Sequence, residues 1–151
     1  ANFARAPKGG DTDQIKAVAA GECGVSISNT YYIARLLRSE KPEDKKAMEK
    51  IGVVWPNQKS FGTHINISGG GMLKTAPHKD AAVTFLEYLA NDEAQAYFAN
   101  GNNEWPAVKT ANARNPALES LGPFKPDSLN VGTLSKNTAL AQKVFDRAGW
   151  R

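Results

Sequence analysis

The stretch from Asp11 to Leu37, "DTDQIKAVAAGECGVSISNTYYIARLL", decides the fold class. Asp11 or Thr12 opens a helix, Ile15, Val18 and Ala19 recur at helical spacing, and Gly21 closes it. "CGVSIS" then alternates as a half-buried strand does, with Val25 and Ile27 on one face. Ser28 and Asn29 are both good caps for a following helix that runs to about Ser39. Helix, strand and helix in quick succession predict a mixed α/β fold.

The rest of the chain continues that alternation. "KPEDKKAMEKI", with Pro42 near a first-turn position, reads as a charged surface helix. Strand signals return at "IGVVWP" and at "GTHINISG", before a glycine triplet at 69–71 that calls for a turn. Ala81, Val83, Phe85, Leu86 and Leu89 form an apolar helical stripe after Pro77, and "DEAQAYFANG" adds a short helix with acids at its positive end. A last helix, "NTALAQKVFDRAGW", is expected to be capped by Asn137 and ended by Gly149. No internal repeat or low-complexity segment interrupts these elements.

Composition narrows the function classes. The 151 residues correspond to about one ordinary domain, and 41% hydrophobic with 23% charged residues is usual for a globular chain. Nineteen basic against fifteen acidic side chains give +4, but the charges are dispersed, and the densest run, "RSEKPEDKKAMEK", mixes both signs as a solvated helix face does. Nucleic-acid binding is not expected. A single cysteine, Cys23, excludes an internal disulfide and a cysteine-based zinc cluster, and "GECGVSI" makes it a small buried residue at a strand start. No apolar run approaches the ~20 residues of a membrane span, so membrane insertion is not expected. The opening "ANFARAPKGG" lacks the apolar middle region of a signal peptide.

An enzyme would need convergent acid, base or nucleophile groups, and the chain offers little of that kind. It has only two histidines, His64 and His78, with no HExxH spacing and no nucleophile elbow, and "SGGGM" is not followed by the lysine and hydroxyl of a phosphate loop. The chain is therefore not expected to be an enzyme.

The pair Tyr31 and Tyr32 is the feature with chemistry in it. Adjacent helical residues point about 100° apart, so mid-helix geometry would not turn both rings to one core. In a first turn both phenols can reach a cleft beyond the helix start, where the positive end of the helix dipole is expected to favour phenolate. A phenol with a pKa near 10 ligates at neutral pH only when a strongly electrophilic cation displaces its proton, and ferric iron suits such anionic oxygen donors. By itself, such a pair is more often one core ring and one half-exposed ring than a pair of ligands.

The surroundings decide between those two. "DTDQIKAVAAGECGVSISNTYYIARLL", "GTHINISGGGMLKTAPHKDAAVTFLEYLANDEAQAYFANGNNEWPAV" and "AQKVFDRAGW" together resemble the periplasmic ferric-iron-binding proteins of ABC import systems, in the same order and over nearly the whole chain. The resemblance implies part of a two-lobed periplasmic binding protein fold of type II, with mixed sheets flanked by helices. Tyr31 and Tyr32 match the family's metal-binding pair, with Fe(III) as cargo and an inner-membrane ABC permease as recipient. Asn29 matches a position that contacts an anion such as carbonate beside the metal, or else serves as a helix cap. Family members are about twice this length, which implies that an N-terminal half bearing further ligands is absent. By the same analogy residues 1–61 and 118–151 belong to the tyrosine-bearing lobe, residues 62–117 return to the other, and "GTHINIS" is the crossover. His64 and His78 do not match the family's histidine ligand, and Glu104 and Trp105 are assigned packing and hinge roles. Sheets that lose strands expose edges, which predicts strand exchange between copies or association with the missing half. The alternative is an anion or small organic solute on the same fold, with the tyrosines only packing.

Overall fold

The computed structural model describes residues 3, 4, 6 and 8–149; Ala1, Asn2, Arg5 and Pro7 of the opening segment, and the closing Trp150 and Arg151, lie outside the described residues. The chain forms two compact units. The larger comprises Lys8–Val53 and Asn66–Pro123; the smaller includes Val54–Ile65 and the segment from Phe124 onward.

In the larger unit α1 (Asp11–Ala19), α2 (Thr30–Leu37) and α3 (Pro42–Met48) pack on one another. Helical spacing puts Ile15 on the inner face of α1, and Ile33 and Leu36 on that of α2. These three residues form the core, and Tyr32, Met48, Ile51, Val53 and Leu121 pack around them. The run expected to be a solvated helix face includes a buried acid: Asp44 of α3 lies 2.5 Å from Lys16 Nζ and accepts a 2.6 Å hydrogen bond from Ser39 Oγ. A charged run reads as solvated because its average is polar, yet one carboxylate with two partners can turn inward.

The unit continues through α4 (Lys79–Leu89) and α5 (Asp92–Tyr97), which runs on as a π-helical turn, Phe98–Asn102. Asn91 caps α5 by accepting from Ala94 N at 2.9 Å. The short α6 (Pro116–Glu119) packs on α2, burying Leu118 completely. Its cap, Asn115, accepts from the amides of Ala117 and Leu118, and its own Nδ2 donates to Ala99 O and to Asn103 Oδ1. Arg38 Nη1 reaches the same Asn103 oxygen at 2.6 Å, so the end of α2 is tied to the turn that follows α5.

The smaller unit holds α7 (Gly132–Ala148) and one parallel bridge, Thr63 to Pro126. Thr63 N donates to Lys125 O and Asp127 N to Thr63 O, both at 2.8 Å. Gly62, at φ +101°, sits so close that a Cβ there would lie 2.6 Å from Pro126 O. Trp55 stacks on Phe124 at 4.3 Å between centroids.

Three expectations differ from what the structure shows. The expected mixed sheets are not formed: among the described residues "CGVSIS", "IGVVWP" and "GTHINIS" show no ladder beyond that single bridge, and Val25, Ile27 and Val54 are 85%, 96% and 87% exposed. A strand exists only through a hydrogen-bonded neighbour, and the described residues supply these segments with none beyond the Thr63–Pro126 bridge. Cys23 is accordingly half-buried and not a buried strand residue. The last helix begins at Gly132 instead of near Asn137: Val131 is its N-cap without a side-chain capping bond, and Asn130 Oδ1 accepts from Gly132 N at 2.8 Å in the turn that leads into it.

Leu118→Ala is expected to destabilise the larger unit by about 2–5 kcal/mol in chemical unfolding, since a fully buried leucine leaves a cavity. Lys16, and then Ser39, hold the Asp44 carboxyl below the ordinary carboxylate range. A depressed acid stabilises the fold above its unfolded pKa and loses that contribution as pH falls through the folded one. Asp44→Asn should therefore flatten the decline of stability below about pH 4, measured by urea unfolding across that range.

Candidate metal centre

The site is built at the start of α2. Asn29 occupies the N-cap with extended backbone, and its carbonyl accepts from Tyr32 N at 3.3 Å. Its side chain, the expected cap, makes no capping bond. Instead Asn29 Nδ2 donates to Asp11 Oδ2 at 3.2 Å, and Asn29 Oδ1 accepts from Asn66 Nδ2 at 3.2 Å.

Tyr31 and Tyr32 follow in the first turn, both half-buried. Their ring centroids lie 4.4 Å apart with planes tilted by 43°. The outward swing expected of both is thus shared unequally: Tyr32 rests against the core cluster, and Tyr31 leans on Tyr32. The Arg35 guanidinium carbon lies 4.9 Å over the Tyr32 ring, a cation on its π face.

The electrostatics correct one expectation. The helix start was expected to favour phenolate at this position, yet the Tyr31 hydroxyl is pushed above its ordinary value. Burial is the largest cause, followed by the hydrogen bond and charge of Tyr32, and then by the Asp11 and Glu104 carboxylates. Desolvation and nearby negative charge outweigh the fractional charge of a helix end. The same surroundings favour a cation: two phenol oxygens with carboxylate charge close by form a hard, anionic donor set once the protons leave.

Sequence reasoning placed Tyr31, Tyr32 and Asn29 together, and the structure joins them at one helix start. It assigned Asp11 only to a helix terminus and Glu104 only to packing and hinge roles. Glu104 is held by Ser68 Oγ at 3.2 Å, and its charge acts on Tyr31. Acidic residues distant in sequence carry no local sign that they share a phenol. Of the two histidines, His64 belongs to the smaller unit, 3.4 Å from Asp127, and His78 is exposed at the N-cap of α4. Among the described residues no three His, Cys, Asp or Glu side chains cluster as a metal site.

Comparison with known proteins agrees with this arrangement of elements. Residues 3–125 match the family model described as "Bacterial extracellular solute-binding protein". The chain is 47% identical to "Iron uptake protein A2" of Synechocystis sp. over 99% of its own length and 44% of that protein's. It superposes on a Trichodesmium protein solved "in complex with iron and citrate ligands" with a TM-score of 0.90 at 52% identity, covering 99% of this chain and 47% of that one. A ferric binding protein from Campylobacter jejuni gives a TM-score of 0.92 at 38% identity, with 99% and 47% covered. The chain spans about half the length of the relatives it matches. With most of its residues inside the family model, the chain belongs to the bacterial extracellular solute-binding proteins.

Proposed function

We propose that this chain is part of an extracytoplasmic protein that captures ferric iron through the phenolate oxygens of Tyr31 and Tyr32. The observation that carries the reading is the half-buried phenol pair, 4.4 Å between ring centroids, at the head of α2. The names of its relatives, an iron uptake protein and a protein holding iron and citrate, support the same cargo.

The chemistry follows from the protonation of the pair. The surroundings of Tyr31 keep its proton at neutral pH. A trivalent cation reverses the balance, because the carboxylate charges that disfavour phenolate alone attract the metal. Two phenolates leave other positions of an octahedral ion open. In this reading an anion such as carbonate occupies part of that space beside Asn29, and further ligands come from the part of the relatives that lies outside the length matched here. The type II arrangement would place residues 1–61 and 118–151 in the tyrosine-bearing lobe and 62–117 in the other. The loaded protein would then deliver iron to an inner-membrane ABC permease without chemical turnover. The unpaired segments around Val25, Ile27 and Val54 are where strand exchange between copies, or association with the family's other half, would supply partners.

A second reading, an anion or small organic solute with the tyrosines only packing, is favoured by one observation: Tyr32 already rests on the core cluster. Addition of ferric nitrilotriacetate separates the two. Iron capture is expected to raise a visible phenolate-to-iron band that Tyr31→Phe with Tyr32→Phe abolishes; a band unchanged in the double variant would sink the assignment. Because each ligating phenol surrenders a proton, loading should also release about two more protons per iron from the wild type than from the double variant in a pH-stat. Since the Tyr31 pKa is raised, iron retention should weaken as pH falls.

A further inference from the structure

We propose that Asp11 and Thr12, the first two residues of α1, are positioning residues that hold the Tyr31–Tyr32 pair in place for its cation. The inference rests on the iron reading above and concerns residues to which no role at the site has been assigned.

An acid at a helix start ordinarily serves its own helix. Here Asp13 does that work, accepting from Gly10 N at 2.9 Å. The Asp11 carboxylate turns instead to the segment entering α2. Its Oδ2 accepts from Asn29 N at 2.8 Å, from Asn29 Nδ2 at 3.2 Å and from Ser28 Oγ at 3.3 Å. Three donors on one charged oxygen pin the backbone two residues before Tyr31. They also draw the Asn29 side chain off its cap position, so the start of α2 is set by Asp11 and not by Asn29 itself.

Thr12 makes the second fixture. Its Oγ1 accepts from Arg35 Nη2 at 2.8 Å, and that guanidinium covers the Tyr32 ring. Neighbouring residues of α1 therefore reach both the approach to Tyr31 and the face of Tyr32. Supports of this kind orient metal ligands without touching the metal, and their loss typically costs 10–100-fold in metal affinity.

The test uses the complete chain and its Asp11→Ala, Asp11→Asn and Thr12→Val variants, with ferric nitrilotriacetate as the iron source and citrate as competitor. Asp11→Ala should shift the phenolate-to-iron band and lower iron retention against citrate by about 10–100-fold. Asp11→Asn, which keeps one acceptor oxygen, should recover part of that loss. In the iron-free protein, hydrogen exchange at the Asn29 amide should quicken at least about tenfold in Asp11→Ala, while the amides within α1 keep their protection. Thr12→Val should shift the band and leave Asn29 exchange unchanged. An Asp11→Ala protein with wild-type band, retention and Asn29 exchange overturns the proposal, as does one whose α1 protection collapses together with iron binding. A wild-type chain without a tyrosine-dependent band overturns the iron reading and the positioning role with it. A wild-type band that no Asp11 or Thr12 variant alters overturns the positioning role alone.

Discussion

The contact between α1 and α2, Ile15 against Ile33 and Leu36, is what the rest of the larger unit depends on. α2 has to bury Ile33, Ala34 and Leu36 while keeping two phenols partly outside, within one short helix. It can do so because the phenols occupy the first turn, where the helix is not yet enclosed. Burying these apolar side chains stabilises the unit by about 25 cal/mol per Å² removed from water, a non-directional gain. Direction comes from polar bonds at either end of α2, from Asp11 at its start and through Arg38 to Asn103 at its finish.

Of these groups Asp11 is half-buried and Asn103 buried, and both are matched to partners, the condition under which they add specificity instead of cost. Asn115 uses both ends of its amide, as does Gln95, which donates to Leu89 O and accepts from Ala107 N and Val108 N. Asp44 is turned inward against Lys16. The phenol pair differs from all of these. Its neighbours raise the cost of ionising Tyr31, so the phenol is held protonated.

How much of this could be read from the residues depends on the range of each interaction. The starts and ends of α1 and α2 were legible because caps and apolar spacing are local, and so was the pair Tyr31–Tyr32 with Asn29 nearby. The strands were misjudged for the opposite reason. Alternation in "CGVSIS" marks a surface suited to pairing, but pairing itself needs another segment, and Ile27 is left in solvent. Asn137 looked like a cap because it precedes an apolar run; the helix instead starts at Gly132, after a turn in which the Asn130 side chain reaches Gly132 N. Asp11 was recognised as a helix start, but its partners lie 17 and 18 positions away, beyond any local signal. The acid's role therefore emerges only in three dimensions.

One consequence of the Asn29 amide extends to how such a sequence can change over generations. A carboxylate can only accept, so Asp11 compels Asn29 to offer its nitrogen on that side and its oxygen to Asn66 on the other. The three residues form a chain with a polarity, like tiles that join only one way round. An acid substituted at Asn66 would ask for a donor where Asn29 presents an oxygen, and rotating the amide to oblige would set its oxygen against Asp11. A substitution at one of these positions therefore changes what the other two must offer.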